Sequence, residues 1–404
     1  MKILQICKKF PYPIKDGEGV AVDTLSRGFY ENGSEVELLA FNTSKHFVNI
    51  DVTSNAFSHY SQVHSIFLDN AIDPIKLFLN LFQDASFNIE RFNSARMHLK
   101  IQEILEGKEY DVVQLESLYM APYISTIRKY SNATIAMRSH NLEHEIWQNL
   151  AKGQRNPLKK WYFNLAAKRL LKYEKRCFRK YDTLVPISEV DFNKYDTLNY
   201  EGPSCVCPVG LNMSAYKSNE NILGDTIRLG YIGSLDWIPN IEGILWFVNK
   251  VWKRIRGSFP NVEFHLAGRN ASPKLTQQLP SSIQYHGEVD NAKDFLQNLN
   301  CVIVPLFAGS GIRVKILESM AMGKVVMSSH KGFEGIPIKN GVNGFIIESS
   351  NDIVNALEQL VNDKYLFGAI GEKAKSTIKD TFDYKIISKR LLDHYQSISE
   401  NKTD

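Results

Sequence analysis

No stretch of this chain approaches the ~20 uninterrupted apolar residues that a membrane-spanning helix needs, so a membrane bundle is excluded. A signal-peptide core is missing too: Met1 and Lys2 lead straight into the strand-like Ile3-Leu4-Gln5-Ile6, and the expected location is cytoplasmic. Cysteine is scarce, with five in the chain (Cys7, Cys177, Cys205, Cys207 and Cys301). Their closest pair is a C-x-C inside an apolar run, the spacing of neither a zinc site nor a thioredoxin motif, and reduced, buried thiols are expected. Charge of one sign does not dominate: the net value of +4 is too small to make nucleic acid a global partner. Short-period repeats and low-complexity tracts are absent as well. What remains is ordinary soluble composition, 44% hydrophobic and 23% charged. At 404 residues the chain is two to three times a typical domain of about 150, which predicts two domains.

Short β-branched apolar runs recur at residues 2–6, 35–41, 63–68, 111–115, 134–137, 183–187 and 205–209. Segments of helical periodicity, such as 22–30 and 161–181, separate most of them. That alternation predicts βαβ units and a parallel sheet. A polar stretch from Ser214 to Glu220 then reads as a linker. Beyond it the alternation restarts with runs at 228–232, 262–266, 283–285, 301–305, 324–327 and 345–347. The expected organisation is an N-terminal α/β domain over 1–213, a linker over 214–225, a second α/β domain over 226–385 and a terminal helix over 386–404 that packs back on the first domain. Open α/β sheets bind ligands at the carboxyl ends of their strands, and two in series make a cleft. The strand-to-helix loops are therefore where chemistry is expected.

The most informative loop follows Val304-Pro305. A Gly309-Ser310-Gly311 turn leads into a helix expected from about Ile312, with Ile316, Leu317, Met320 and Ala321 on its buried side and Gly323 ending it. A glycine-rich turn feeding a helix N-terminus presents backbone N–H groups and a positive dipole end, an anion site in kind. Arg313 and Lys315 add two cations in the first turn, where they oppose the dipole. Their placement makes sense if an anion such as a diphosphate sits beside them. Glu318 lies deeper, within reach of sugar hydroxyls. The plain alternative is a βα turn with solvated Arg and Lys.

This segment resembles the donor-binding motif of family 4 glycosyltransferases with the GT-B fold. Lys315, Glu318-Ser319-Met320-Ala321 and Gly323-Lys324-Val325-Val326 fit its pattern. One departure stands out. The larger family carries a first glutamate eight residues before the second, and here that position is Ser310, so the amides and hydroxyl of the turn must do more. Further segments match in order. Gly230 to Asn240, with Gly233, Ser234 and Asn240, is similar to the family's opening loop of the C-terminal domain, but Trp237 and Asn240 stand where many members carry an Arg and a Lys. That substitution shifts the cationic role to Arg313 and Lys315. Leu266-Ala267-Gly268-Arg269 and His286-Gly287-Glu288-Val289 resemble the strands whose loops flank the nucleotide base, and Gly332 to Ile336 resembles the loop after the following strand. The resemblance covers nearly all of residues 1–385, closely in the second domain and loosely in the first.

In the first domain the loop after the opening strand runs from Lys8 to Gly19 and enters a helix at about Val20. It is too long for a G-x-G-x-x-G turn, which counts against a dehydrogenase. The resemblance implies that Gly17 and Gly19 touch donor phosphates or acceptor; the alternative is a flexible surface loop. The string His140-Asn141-Leu142-Glu143-His144 matches the H-x-x-E-H zinc pattern. His140, however, sits at a strand exit rather than one helical turn from His144, so no metal is expected. The resemblance gives His140 a contact with the donor hexose; the alternative is a structural histidine. Finally, the stretch from Arg155 to Lys180 holds ten basic residues against Glu174 within it and Asp182 just beyond, with Trp161, Tyr162 and Phe163 in the same stretch. Basic helices with interleaved aromatics bind anionic bilayers, at about 1 kcal/mol per cation near the surface, and the apolar Phe78-Leu79-Asn80-Leu81-Phe82 lies in the same domain. A solvated helix face is the alternative.

The resemblance thus implies a transferase moving a sugar from a nucleoside diphosphate sugar to a hydroxyl of a growing glycan, polysaccharide, lipopolysaccharide or lipid-linked. It also implies retention of configuration, no cofactor and no metal. The expected catalytic set is His140, Arg313, Lys315 and Glu318. Donor contacts are expected from Gly17, Gly19, Gly233, Ser234, Asn240, Gly268, Arg269, Gly309, Ser310, Gly311 and Ile312. A GT-B sugar-nucleotide epimerase and a non-catalytic nucleotide-sugar binder are the alternatives. Peripheral contact with the inner face of the membrane through residues 155–180 is expected, and a nucleic-acid partner is not.

Overall fold

The computed structural model describes residues 1–14, 16–44, 47–50, 57–71, 80, 86–216, 224–309 and 311–403. The chain divides into two units, Met1–Gly210 with Tyr384–Asp404, and Leu211–Asp383.

The first unit is a six-stranded parallel sheet made of β1 (Lys2–Cys7), β2 (Glu35–Thr43), β3 (Gln62–Leu68), β4 (Val112–Glu116), β5 (Thr134–Ser139) and β6 (Thr183–Pro186), in the order β3-β2-β1-β4-β5-β6. Every residue of β4, β5 and β6 is buried. This is the reason the sequence shows continuous apolar runs rather than alternation: helices cover both faces of a parallel sheet. Helix α1 (Gly17–Glu31) begins three residues before the expected start, capped by Asp16, whose side chain accepts from Gly19 N. Gly17 and Gly19 therefore lie in the first helical turn, not in the loop.

Helices α2 (Glu143–Gly153) and α3 (Pro157–Cys177) form a tight hairpin. Pro157 at the first turn and the Asn156 side chain, accepting from Leu158 N and Lys159 N, start α3. Its buried face is Ala166, Ala167, Leu170, Glu174 and Cys177. The strand expected at 205–209 is not one. Cys205 N donates to Leu184 O and Cys207 N to Pro186 O along β6, but Pro208 has no N–H with which to continue the ladder. All five cysteines are free thiols, and Cys205 alone of them is less than fully buried.

The second unit repeats the plan with β7 (Ile227–Ile232), β8 (Val262–Ala267), β9 (Ile283–Gly287), β10 (Cys301–Val304), β11 (Val325–Ser328) and β12 (Phe345–Ile346), in the order β12-β11-β10-β7-β8-β9. Helix α4 (Ile238–Phe247) approaches the end of β10 so closely that a Cβ on Gly243 would fall 1.9 Å from Pro305 O. Helix α5 (Val314–Ala321) starts two residues after the expected Ile312, buries Ile316, Leu317, Met320 and Ala321, and is closed by Gly323 at φ +70°. The chain enters and leaves this unit side by side: Leu211 N donates to Phe382 O at 2.7 Å.

Of the linker expected at 214–225, residues 217–223 lie outside the described set, and Tyr216 is buried in the second unit. The last helix, α6 (Tyr384–Thr403), belongs to the first unit. It lies against α1 at Gly28, where a Cβ would meet Ser388 Oγ at 2.3 Å and Tyr384 O at 2.8 Å. Asn32 Nδ2 reinforces the contact by donating to Ser388 Oγ and Lys385 O. Among the described residues no helix is long and apolar enough to cross a membrane.

Candidate functional site

In the second unit the strand order reverses direction between β7 and β10. This is the switch point where an open α/β sheet leaves a crevice at its carboxyl edge. The loops from both strands meet there. Lys315, in the first turn of α5 after β10, donates to Tyr231 Oη at 2.9 Å and to Asn240 Oδ1 at 3.3 Å, both on the β7 side. Its ammonium also lies 4.3 Å from the Tyr231 ring centroid. Burial, with the Arg313 charge close by, pulls its pKa from the usual lysine range to about 7.

Gly233 lines this position: a Cβ there would sit 2.6 Å from Lys315 Nζ and 2.9 Å from Tyr231 Oη. Only a residue without a side chain leaves that space open. Gly268, after β8, has to be glycine for a related reason, since its Cβ would fall 2.2 Å from Gly233 O. Asn240, buried in the first turn of α4, also donates to Ser234 O at 2.8 Å, which ties helix to loop.

Arg313 is the residue just before α5 and is 8% exposed, with its guanidinium 5.8 Å from the Trp237 ring centroid. Gly309 and Gly311 have φ of +106° and +87°, the left-handed region that favours glycine. Ser310 between them lies outside the described residues, and Ile312 is half-buried in the approach to α5. Ser234 Oγ donates to Asp236, and Arg269 Nε reaches Ser234 Oγ at 3.4 Å. Glu318 accepts a hydrogen bond from Tyr216 Oη at 3.0 Å. Burial raises its pKa, opposed by that bond and by Lys293, whose ammonium lies 4.3 Å from the Tyr216 ring centroid. Tyr216, in the expected linker, and Tyr231, in the strand, are supporting residues, and nothing local to either position signals the role.

The other expected residues belong to the first unit. His140 follows β5, is 6% exposed, and donates from Nε2 to Glu116 Oε2 at 2.7 Å. His144 donates from Nδ1 to Glu174 Oε2 at 2.6 Å, and Glu174 also accepts from Tyr195 Oη. The two histidines thus bind different carboxylates instead of converging, and no group of three or more metal-ligating side chains is present among the described residues. Gly17 and Gly19 stand in a turn where Gly19 N is already bonded to Asp16. Beside them, Lys8 and Lys9 each lie 3.4 Å from Glu18. These ammonium groups hold the Glu18 carboxyl below its ordinary value despite its burial. Tyr119 donates to Glu143, whose pKa burial raises.

Two Rossmann-like parallel sheets of six strands in one chain define the GT-B fold, and solved structures of that class share it. HepE of Anabaena in complex with UDP aligns with a TM-score of 0.68 at 14% identity, covering 98% of this chain and 100% of that one. Sucrose-phosphate synthase from Thermosynechococcus elongatus aligns with a TM-score of 0.69 at 16% identity, over 98% and 99%. Within the fold, residues 226–363 match the family model Glycosyl transferases group 1. The chain therefore has the GT-B fold, and residues 226–363 within it are similar to the group 1 glycosyltransferases.

Among related sequences, an uncharacterized 44.6 kDa protein of the cps region of Klebsiella pneumoniae is 27% identical over 305 residues, which is 71% of this chain and 74% of that protein. Lipopolysaccharide 1,2-N-acetylglucosaminetransferase of Salmonella typhimurium is 29% identical over 105 residues, 25% of this chain and 27% of that enzyme.

Proposed function

We propose that this protein transfers a sugar from a nucleoside diphosphate sugar to a hydroxyl of a growing surface or lipid-linked glycan, with retention of configuration and without a metal ion. The observation that carries the reading is the placement of Lys315 and Arg313 at the switch point of the second unit, over two positive-φ glycines and beside the empty Gly233 position. A helix N-terminus with two cations answers a diphosphate in charge and geometry. The same groups would neutralise the leaving diphosphate as its bond to the sugar breaks, the task a divalent metal performs elsewhere. Glu318, three residues beyond Lys315 and so on the same helical face, suits the ribose hydroxyls. The group 1 match over this unit supports the reading, as do the UDP complex of HepE and the lipopolysaccharide enzyme among the partial relatives. UDP sugars are accordingly the first donors to try.

The direct test is calorimetry of UDP binding to the wild type and to Lys315→Ala. Charge-assisted hydrogen bonds contribute about 1.5–3 kcal/mol each, so the variant should bind roughly tenfold to a hundredfold more weakly. Equal binding by a folded variant would remove Lys315 from the site. Incubation with UDP-glucose alone, without any acceptor, distinguishes transfer from epimerisation, since an epimerase would release an altered UDP sugar under those conditions.

A further inference from the structure

The first unit holds a polar network in the middle of its core. Glu116, the last residue of β4, has no exposed surface. Its Oε1 accepts from Gln5 Nε2 at 2.7 Å and from Gln114 Nε2; its Oε2 accepts from His140 Nε2 at 2.7 Å and from Arg138 Nη1 at 3.4 Å. These residues come from β1, β4, β5 and the residue just past β5, with Gln5 paired to Gln114 and Glu116 to Arg138 in the sheet register. The amides are themselves oriented from outside. Tyr60 Oη donates to Gln5 Oε1 at 2.8 Å, and Tyr395 Oη, on α6, donates to Gln114 Oε1 at 2.7 Å. Burial raises both tyrosines well above their ordinary value, so they remain donors.

Each glutamine consequently turns its NH2 toward Glu116. Although burial alone would push the Glu116 carboxyl up, Arg138 and the hydrogen bonds of His140 and Gln5 hold it at about 2. A fully buried carboxylate is expensive and contributes little to stability even when paired. Here its remaining effect falls on a histidine at a strand exit. An ionised carboxylate can only accept, so the ring nitrogen facing it carries the hydrogen. Nδ1 of His140 makes no hydrogen bond among the described residues.

We infer that Glu116 is a positioning residue that locks His140 in its Nε2–H tautomer, so that Nδ1 is offered as a hydrogen-bond acceptor to a sugar hydroxyl. The inference rests on the sugar-transfer reading. Its consequence is selective: a neutral ring presenting a lone pair accepts an O–H and repels a phosphate oxygen, so this histidine reads sugar rather than diphosphate. The hydroxyl could come from the donor sugar or from the acceptor.

Nitrogen-15 NMR of histidine-labelled full-length protein at pH 8 tests the tautomer directly, with His140→Phe assigning the signal. The expected result is a proton-bearing Nε2 and a lone-pair Nδ1; an Nδ1–H tautomer overturns the inference. Adding UDP, then UDP-glucose, then methyl glucoside identifies the hydroxyl. A change at Nδ1 with UDP-glucose but not UDP assigns it to the donor, a change with methyl glucoside alone assigns it to the acceptor, and a change with neither sugar overturns the inference.

Glu116→Gln should weaken binding of the responding sugar at least tenfold while UDP binding is unchanged, and should have no further effect in a His140→Phe background. An equal loss in both backgrounds means Glu116 does not act through His140. If Glu116→Gln does not fold, the wild-type spectra decide the question by themselves. Failure of UDP to bind the wild type would count against the nucleotide reading, while the tautomer is read in the free protein.

Discussion

Lys315 sits near neutrality, and that makes its charge state part of the binding reaction. A diphosphate favours the ammonium form, so donor binding should pull the pKa of Lys315 back up from about 7. At pH 6 the lysine is protonated in the free and bound states, and no proton is exchanged. At pH 8 it is mostly neutral when free, so binding should take up close to one proton and affinity should fall as pH rises further. Calorimetry with UDP-glucose in buffers of different ionisation enthalpy measures this; equal uptake at both pH values would rule it out.

The same shift affects folding with a definite sign. Because the folded-state pKa is depressed, the unfolded chain binds the extra proton between about pH 7 and the usual lysine value near 10.4. Over that window this group makes the native state more stable as pH rises, and below pH 7 its full penalty is present. Glu318 supplies a second single-residue prediction. If Glu318 takes the ribose hydroxyls as proposed, with Oε1 already held by Tyr216, Glu318→Gln should reduce the preference for UDP over deoxy-UDP. Competition binding reads that preference, and an unchanged ratio would reassign the carboxylate.

Helix α3 shows how a charge run differs from a docking surface. Around the helix, Leu158, Trp161, Leu165, Lys168 and Lys172 follow i, i+3, i+7 spacing, opposite the buried Ala167, Leu170 and Glu174. The apolar members lie at the hairpin end: Leu158 is 77% and Trp161 56% exposed, and the nearby Leu150 of α2 is exposed too. Lys159, Lys160 and Lys168 are exposed around them. An apolar tip followed by lysines up the same face complements an anionic bilayer, with rings at the acyl boundary and ammonium groups among the phosphates. We therefore propose that this end of α3 makes the peripheral membrane contact. Charge reversal at Lys159, Lys160 and Lys168 should abolish co-sedimentation with phosphatidylglycerol vesicles and leave UDP binding intact, and wild-type binding should weaken with salt. Wild-type protein that ignores such vesicles at low salt would make the face a solvated one. The apolar segment 78–82 lies outside the described residues except for Asn80, which accepts from Arg169 Nη1.

For the molecule as a whole, the proposed function has Arg313 and Lys315 meet the phosphate charge, and the histidines of the H-x-x-E-H string are committed to Glu116 and Glu174. Transfer activity should accordingly survive EDTA. Loss on chelation, with recovery on adding magnesium or zinc, would restore a metal to the mechanism.

The fold class and the turn proposed to hold the anion were legible in one dimension, because both depend on local order. Apolar runs alternating with helical periodicity dictate parallel sheets, and the Gly309 to Lys315 turn carries its own glycines and cations within seven residues. The boundaries shifted where capping decided them, as at Asp16, which draws Gly17 and Gly19 into a helix. What the chain order could not reveal is which distant groups meet. Tyr216 reaches Glu318 across 102 positions, Tyr231 reaches Lys315 across 84, and Tyr395 reaches Gln114 across 281. Each of these residues is an ordinary buried tyrosine in sequence; only sheet register and the return of α6 to the first unit bring its hydroxyl to a partner. Hydrogen bonds act over about 3 Å, so the chemistry of His140 and Lys315 is set by neighbours that tertiary packing alone delivers.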